Sequence, residues 1–471
     1  MQEETRFPKQ KPGFKGSRVN RMPRTTCSIL AVCAAFAGGC GRANVPMDTS
    51  SVESRYPVRT DLMAVGDLGA PPKWSSTGFP PLRSARLGSR SPDPEFVSLL
   101  GPKITDKKPA ILDPQADLTP AQRDIVAELL DSYFGKPAAP IVRVPSIDEA
   151  KKLALEPFFP KAGELAATLA EAATAKATLK LDDTALAHGG VLYRRWCLQC
   201  HGPTGAGDGA HAVSMTAMPR DYRRGMFKFA TCFPPGTPRT GKLGKARKDD
   251  LKRTVRNGLD GSMMPPFPQF SDEELDDLTG YVMHLSIRGE SEFEVIGRII
   301  NMAKNPRDDD PDFSKEFAEQ LLAQKVLTTL GNWKRAGDNA IPIPLENTPR
   351  EADRLLSAAR GHKAFLGTCA GCHQDFGRAE QLKFDQWGTV VQPRNLVLGV
   401  YRGGRKGEDL YARIYGGIYP ATMPDSKAKA DGAKPGEPDG IWDVVHFLQM
   451  LSDPRGRKLL QLYDPTIKFE P

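Results

Sequence analysis

Two pentapeptides of this 471-residue chain share the pattern Cys-x-x-Cys-His, at residues 197–201 and 369–373. The spacing places two thiols about one helical turn apart, so that both can add to vinyl groups of the same haem. The histidine that follows then lies beneath the iron as its proximal ligand. One such pentapeptide also fits chance or a thioredoxin-like pair, whereas two of them indicate covalent haem. The predicted residues of two c-type haem sites are Cys197, Cys200, His201, Cys369, Cys372 and His373.

The surroundings of the two motifs repeat along the chain. The matched pairs are, in chain order, Gly189 and Gly361, Tyr193 and Phe365, Pro219 and Pro393, Arg220 and Arg394, Gly225 and Gly399, Leu251 and Leu410, Gly258 and Gly417, and Met264 and Met423. Each of these methionines is followed by proline, and a closing helix is predicted after each. The first copy holds fifteen more residues than the second between its glycine and leucine landmarks. The chain therefore contains two copies of one unit.

This order of haem motif, Met-Pro loop and closing helix with an aromatic residue resembles the class I cytochrome c family, over about 184–287 and 353–455. In that family the loop methionine is the sixth iron ligand, which here points to Met264 and Met423. A thioether ligand favours Fe(II) and raises the reduction potential, which suits an electron carrier. Met263 competes with Met264, and the following proline favours Met264.

The resemblance also implies roles for the Pro-Arg pair that follows each motif. In that family the proline carbonyl accepts a hydrogen bond from the proximal histidine, a role that we carry to Pro219 and Pro393. Such a contact would fix the imidazole tautomer and tune the iron. Arg220 and Arg394 are expected to meet haem propionates through charge-assisted hydrogen bonds.

The remaining histidines and one cysteine are interpreted as structural. The histidines occupy positions that do not match between the copies, which argues against a distal histidine ligand; they are His188, His211, His284, His362 and His446. Cys232 lies in the extra residues of the first copy and has no evident partner. An idle thiol is the default interpretation of Cys232, and intermolecular pairing is the alternative.

The predicted fold is mainly α, because no stretch shows a convincing strand alternation and several segments show helical spacing. Thr119 followed by Pro120 predicts the start of a helix. We expect two class I cytochrome c-like helical domains joined by helical linkers, after a long irregular N-terminal segment. The expected divisions are a signal peptide at 1–39, a Pro/Ser-rich tether at 40–118, a helical segment at 119–183, cytochrome c domain 1 at 184–287, a helical connector at 288–352, cytochrome c domain 2 at 353–455 and a C-terminal tail at 456–471.

The N-terminus predicts export. Three arginines precede a short apolar run at 27–37 that ends in Ala37-Gly38-Gly39-Cys40, which resembles a bacterial lipoprotein cleavage site. Cys40 is then expected to carry a lipid, with ordinary signal cleavage nearby as the alternative. The mature chain is expected on the periplasmic side, anchored to the cell membrane, where conditions are oxidising.

Charge and hydropathy exclude two classes. The net charge is +8, but residues 1–39 hold seven of the basic and two of the acidic groups, leaving 58 basic and 55 acidic groups. A nucleic-acid binder would show a larger surplus or a concentrated stripe. No run of eighteen apolar residues exists, which argues against a spanning helix. One cluster stands out, with twelve Lys/Arg against three Asp in the basic loop 220–256, and it is interpreted either as a solvated loop or as a docking face for an acidic redox partner.

These expectations combine into an extracytoplasmic dihaem c-type cytochrome that transfers electrons between proteins of a respiratory chain, such as a respiratory complex or oxidase. The alternative is a dihaem enzyme of the peroxidase or thiosulfate dehydrogenase type. Such an enzyme needs an open iron site or an unusual ligand such as Cys232, and a methionine at the matched place in both copies argues against it.

Overall fold

The computed structural model describes residues 55–61, 63–65, 110–215, 219–232, 245–304, 313–346, 351–374, 376–378, 383–384, 390–391, 393–418, 423–426 and 439–469. The protein is mainly α, as predicted, and its described strands form three short antiparallel pairs. These are β1 (Met63–Val65) with β2 (Ala110–Leu112), β3 (Gly135–Lys136) with β4 (Ala139–Pro140), and β5 (Lys383–Phe384) with β6 (Val390–Val391).

A helical layer precedes the first haem motif. It contains α1 (Pro114–Asp117), α2 (Pro120–Phe134), α3 (Ile147–Lys152) and α4 (Glu164–Thr178). The predicted start at Thr119 is confirmed: its hydroxyl accepts from the backbone N–H of Gln122, the Gln122 side chain accepts from the Thr119 N–H, and Pro120 opens the helix.

The first copy is built on α5 (Asp183–Trp196), α6 (Leu198–His201), α7 (Lys248–Asn257) and α8 (Asp272–Lys304). Helix α5 packs across α8 around a core that includes Tyr193, Leu278 and Tyr281. Helix α8 runs unbroken across the predicted boundary between 287 and 288. Its second half packs with α9 (Lys315–Asp338), α2 and α4 around the fully buried Trp333 and Phe134.

The second copy has a core of its own. Its helices are α10 (Glu351–Thr368), α11 (Ala370–His373), α12 (Gly407–Gly416) and α13 (Gly440–Ser452), followed by α14 (Pro454–Tyr463). Helix α10 crosses α13 as α5 crosses α8, and Phe365, Tyr411 and Phe447 are buried between them. Helix α13 ends at Ser452, and the Asp453 side chain caps α14 immediately after it.

Part of the predicted tether at 40–118 is packed against the first copy. Tyr56 is fully buried, and its hydroxyl lies 2.9 Å from that of Tyr281 on α8. Asp61 accepts from Arg223 at 2.9 Å and from Arg59 at 2.8 Å. An aromatic ring and buried ion pairs thus fix residues 55–61, where composition alone predicts irregular chain. Within the described residues, every helix is too short or too polar to cross a membrane.

Candidate functional site

The first Cys-x-x-Cys-His motif forms a single helical turn at the end of α5. The backbone N–H groups of Cys200 and His201 both donate to the carbonyl of Cys197, at 3.1 and 2.9 Å. Gly202 ends the turn with φ of +72° and ψ of 170°, a conformation that is essentially restricted to glycine. The turn presents both thiols and the imidazole from one short segment of backbone.

The second motif repeats this turn with the same hydrogen bonds. The N–H groups of Cys372 and His373 donate to the carbonyl of Cys369, at 3.1 and 2.9 Å. The residue that ends the turn is Gln374, with φ of +58° and ψ of 168°. A non-glycine residue in this conformation costs roughly 1–3 kcal/mol, so the surrounding fold must impose it.

Each imidazole is oriented by a backbone carbonyl, one residue later than predicted. Nδ1 of His201 lies 3.4 Å from the carbonyl oxygen of Arg220, and Nδ1 of His373 lies 3.1 Å from that of Arg394. The resemblance predicts this role for the carbonyls of Pro219 and Pro393. The Pro-Arg segment passes each imidazole so that the arginine carbonyl, one peptide unit after the proline carbonyl, is the one within hydrogen-bonding distance of Nδ1.

Burial favours the uncharged forms of His201 and Cys197 in the first motif. Burial lowers the pKa of His201 to about 4, although the Arg220 carbonyl opposes the shift. Burial also raises the pKa of the Cys197 thiol to about 12. With Nδ1 engaged by a carbonyl, a neutral His201 leaves Nε2 as its lone-pair donor, which is what an iron ligand requires.

The two methionine loops close in the same way. Gly258 (φ +66°) and Gly417 (φ +68°) end the preceding helices, and the next N–H donates at 3.1 Å to the carbonyl of Met264 or Met423. A Cβ atom at either glycine would fall within 2.8 Å of that same carbonyl oxygen. The glycines at 258 and 417 therefore set the position of each methionine.

The structure separates the two candidate methionines of the first loop. Met263 is 57% exposed, whereas Met264 is half-buried. Met423 is also half-buried and packs against the core of the second copy. Met264 and Met423 thus occupy equivalent positions in loop closure and burial, and Met263 faces solvent.

The arginines of the Pro-Arg pairs are both half-buried, but the described contacts of Arg394 reach beyond its own copy. Its guanidinium lies against Gly261 in the methionine loop of the first copy, where an added Cβ atom would be 2.3 Å from Nη2 of Arg394. Its Nε donates a long hydrogen bond to the Val400 carbonyl, at 3.4 Å. The sequence predicted a propionate contact for Arg394 and gave no sign of the neighbouring loop.

The basic loop 220–256 is largely paired with the protein's own acids. The ion pairs of its described residues include Arg223 with Asp61 and Asp221, Lys245 with Glu290, Arg247 with Asp249, Lys248 and Lys252 with Asp276, Arg253 with Asp250 and Asp409, and Arg256 with Asp272. Several of these acids lie outside the loop, so the cations fasten it to its own fold.

Cys232 and two of the remaining histidines, His188 and His284, have hydrogen-bond partners within the fold. The Cys232 thiol donates to the Lys245 carbonyl at 3.0 Å, and burial together with nearby Asp250 raises its pKa to about 12. A thiol that a raised pKa keeps neutral is poorly suited to pairing or to iron ligation. His284 lies 2.9 Å from the Phe134 carbonyl and is fully buried, and His188 pairs with Asp277 at 2.7 Å. Cys40 lies outside the described residues.

Two supporting features were not predicted from the sequence. Tyr222 donates to Tyr193 at 2.7 Å, and Tyr193 donates to the Gly202 carbonyl at 2.7 Å, which fixes the end of the first haem-motif turn. Arg402 of the second copy reaches the Gly261 carbonyl at 3.5 Å. The repeat offered a weak signal for the second feature, because Arg402 matches the basic Lys228 of the first copy.

Comparisons with known proteins identify the first copy. Residues 184–282 match the family model described as cytochrome C oxidase, cbb3-type, subunit III. No curated protein matches the chain. A solved chain of the Kuenenia stuttgartiensis reducing HAO-like protein complex Kustc0457/Kustc0458 shares 22% identity, covering 56% of this chain and 96% of that one, with a TM-score of 0.38. A TM-score of this size does not establish a common arrangement.

Residues 184–282 thus form a cytochrome c domain, and a domain of this kind carries a covalently bound c-type haem. The residues present fit that group: two thiols on one turn, a neutral imidazole held through Nδ1, and a closed methionine loop. Among the described residues, no group of three His, Cys, Asp or Glu is placed to hold a metal ion.

Proposed function

We propose that this protein is an extracytoplasmic dihaem c-type cytochrome that transfers electrons in a respiratory chain. One observation carries the proposal. The second copy reproduces the backbone hydrogen bonds of the first at the motif turn, at the histidine and at the methionine loop. Because the first copy is a cytochrome c domain, the same construction in the second supports a second covalent haem.

In this proposal Cys197 and Cys200 hold one haem and Cys369 and Cys372 hold the other, with His201, Met264, His373 and Met423 as axial ligands. Bound haem would supply one-electron Fe(II)/Fe(III) chemistry. The protein fixes each imidazole through a carbonyl, closes each methionine loop around a glycine and buries aromatic rings beside the turn. A held ligand set of this kind limits reorganisation when an electron arrives or leaves.

Location and partners are part of the proposal. The leader at 1–39 and a lipid on Cys40 would place the protein on the periplasmic side of the cell membrane. There it would exchange electrons with a respiratory complex or oxidase. Since most described cations of the basic loop 220–256 already have acidic partners in this chain, we expect only weak electrostatic steering of a partner by that loop.

The enzyme alternative is not supported by the surroundings of Cys232, the thiol that could serve as an unusual iron ligand. A peroxidase or thiosulfate dehydrogenase type of site requires an open iron or an unusual ligand. Cys232 is half-buried, carries a raised pKa and donates to the Lys245 carbonyl. We therefore favour the electron carrier.

Optical and redox characterisation of the purified holoprotein tests the proposal. We expect two low-spin haems and the near-infrared methionine–Fe(III) charge-transfer band. The band should be halved by Met264→Ala or by Met423→Ala alone, and lost when both are replaced. Met263→Ala is the matched control and should leave the band unchanged. A high-spin haem in the unmodified protein, or turnover of peroxide or thiosulfate, would contradict the carrier function.

Mass spectrometry of the mature protein tests the number of haems and the anchor separately. Two covalent haem additions are expected, and Cys369→Ala plus Cys372→Ala should remove one of them. A diacylglycerol on Cys40 would support membrane anchoring. A mature N-terminus elsewhere in the chain would exclude it without bearing on electron transfer.

A further inference from the structure

Two arginines of the second copy meet the methionine loop of the first copy. Arg402 Nη2 lies 3.5 Å from the Gly261 carbonyl, and the Arg394 guanidinium lies against the Cα of the same glycine. Gly261 has φ of +68° and stands three residues before Met264. A side chain at residue 261 would displace Arg394, so the loop and the arginine are in close contact.

Other contacts show that this junction is part of a packed interface. Arg253 of α7 lies 3.8 Å from Asp409 at the start of α12. The Arg413 guanidinium lies over the Phe229 ring at 5.5 Å. A small cleft beside Gly258 and Leu259 is closed on its other side by Tyr401 and Arg402. The two copies therefore touch along the loop that carries the sixth ligand of the first.

Within the described part of the chain, neither guanidinium group at the junction has an acidic partner. Among the described residues, Arg394 donates to the Val400 carbonyl and Arg402 to the Gly261 carbonyl, both through long contacts. Nε of Arg402 is buried and has no hydrogen-bond partner among the residues that the structure describes. Burial lowers the pKa of Arg402, and the charge of Arg394 lowers it further. Two neighbouring cations with unused donors form a site for an anion that can accept several hydrogen bonds.

The position of Arg394 beside the second haem motif indicates which anion would occupy this site. Its carbonyl lies 3.1 Å from Nδ1 of His373, so the arginine belongs to the wall of the second haem site. A haem carries two carboxylates, which are the acceptors that a planar guanidinium fork fits best.

We propose that Arg394 and Arg402 form a latch that holds a carboxylate of the second haem against the methionine loop of the first copy. The latch rests on the proposed second haem. Once the carboxylate accepts hydrogen bonds from both guanidinium groups and offsets one of their two charges, the second copy can stay closed on Gly261 and restrict movement of the loop that presents Met264. Haem attachment in one copy thereby protects ligation in the other.

The experiment measures Met264 lability in holoprotein whose latch is altered. In a Met423→Ala background the near-infrared band reports Met264 alone, and its loss after adding imidazole gives the rate of ligand exchange. Arg402→Gln should raise this rate about fivefold or more, the range of a coupling between sites. Arg405→Gln removes an exposed charge from the same copy, is the matched control and should leave the rate unchanged.

A conservative variant separates the latch from simple misfolding. Arg402→Lys keeps the charge but loses the planar fork, so we expect an intermediate rate. If Arg402→Gln yields no holoprotein, Arg402→Lys is compared with Arg405→Lys instead. Equal imidazole rates in either matched pair would overturn the latch.

A second measurement examines the anion itself. Removing a cation beside a haem carboxylate disfavours Fe(II), so with both methionines intact Arg402→Gln should lower the midpoint potential of the second haem more than Arg405→Gln does. Equal potentials in the two variants would exclude a haem carboxylate as the occupant. A protein with two low-spin haems but unchanged rates and potentials would retain the carrier function and lose only the latch.

Discussion

The first copy, 184–287, and the second copy, 353–455, cross their outer helices at the same place. Gly189 of α5 and Gly361 of α10 lie directly on the carbonyl groups of Asp277 and Asp443. Beside each crossing the aspartate is paired, with His188 at 2.7 Å in the first copy and with Arg360 at 2.7 Å in the second. The close approach of backbone is kept while the side chain that pairs with the aspartate differs, which shows where the unit tolerates change.

Beyond the crossing the copies differ in how they are supported. Helix α8 of the first copy continues to Lys304 and shares its apolar face with the helical layer, whereas α13 stops at Ser452. The first copy also gains a tyrosine pair, because Tyr193 bonds the Gly202 carbonyl where Phe365 has no hydroxyl. The first copy is thus embedded in neighbouring structure, and the second depends mainly on its own core.

The largest effect is expected at the shared helix crossing. A Cβ atom at Gly361 would stand 1.9 Å from the Asp443 carbonyl oxygen, and one at Gly189 would stand 2.1 Å from that of Asp277. Alanine at either position should cost about 4 kcal/mol of unfolding free energy, because backbone must move apart. Urea unfolding of the holoprotein, followed by haem absorbance, measures the cost.

The same helix supplies the control for this crossing. Gly367 of α10 has no atom within 4 Å of an added Cβ, so Gly367→Ala should be neutral or stabilise by about 0.5–1 kcal/mol. If Gly361→Ala and Gly367→Ala unfold alike, the crossing is looser than the structure shows. A loss in one copy only would show that the two crossings are not equivalent.

Acid sensitivity should distinguish the copies next. His284 of α8 is fully buried among Tyr56, Tyr281 and Arg288, and burial lowers its pKa to about 4. The unfolded chain, with an ordinary histidine pKa near 6.5, binds the proton first as pH falls. Stability from this group is therefore complete above about pH 6.5 and is lost as pH falls toward 4, by about 2 kcal/mol between pH 7 and pH 5.

The second copy supplies the comparison for this histidine. Met450 occupies the matching position, three residues after Phe447 as His284 is after Tyr281. His284→Met should flatten the pH dependence of unfolding between pH 7 and pH 5, even though it loses the hydrogen bond to the Phe134 carbonyl. An unchanged slope would show that other groups cause the acid sensitivity.

A smaller effect is expected at the residue that ends each motif turn. Gln374 adopts φ of +58° and ψ of 168°, which Gly202 adopts in the first copy at little cost. Gln374→Gly should stabilise the holoprotein by about 1 kcal/mol, since relief of strain exceeds the added freedom of the unfolded chain. Gly202→Ala should destabilise it by a similar amount or more. Thermal unfolding of both variants tests the pair, and destabilisation by Gln374→Gly would contradict it.

Repetition explains how much of this molecule its sequence could predict. Glycines, prolines and methionines at fixed offsets from two Cys-x-x-Cys-His motifs predicted the matched loops, because each of these residue types has a narrow set of backbone or ligand roles. Thr119 and Pro120 gave a helix start for the same reason. Helical spacing and the lack of strand alternation predicted the helical class. Local patterns of this kind can be interpreted from sequence because neighbouring residues alone determine the backbone conformation.

What the sequence could not give depends on contacts between distant segments. Tyr56 forms a hydrogen bond with Tyr281, which lies 225 residues later in the chain. The Pro-rich sequence around Tyr56 shows no periodicity that would predict this contact. The predicted partner of each histidine was the proline carbonyl, whereas the observed partner is the carbonyl of the following arginine. The direction of a peptide unit depends on the path of the whole loop, which local sequence does not reveal. Arg402 reached the other copy without any signal beyond its match to Lys228.

The smallest expected effect concerns the fifteen additional residues and their basic surroundings, which the second copy lacks. In the basic loop 220–256, Lys245 is buried against Glu290, and Lys248 and Lys252 share Asp276. Cations that are already neutralised contribute little to the field seen by an approaching protein. Electron transfer to an acidic partner should therefore slow only about twofold between roughly 10 mM and 150 mM salt. Lys252→Gln should behave like the unmodified protein, with Arg405→Gln as a control in the second copy. A tenfold fall would mean that the partner competes successfully for these cations, and the loop would then be a docking face that the second copy does not have.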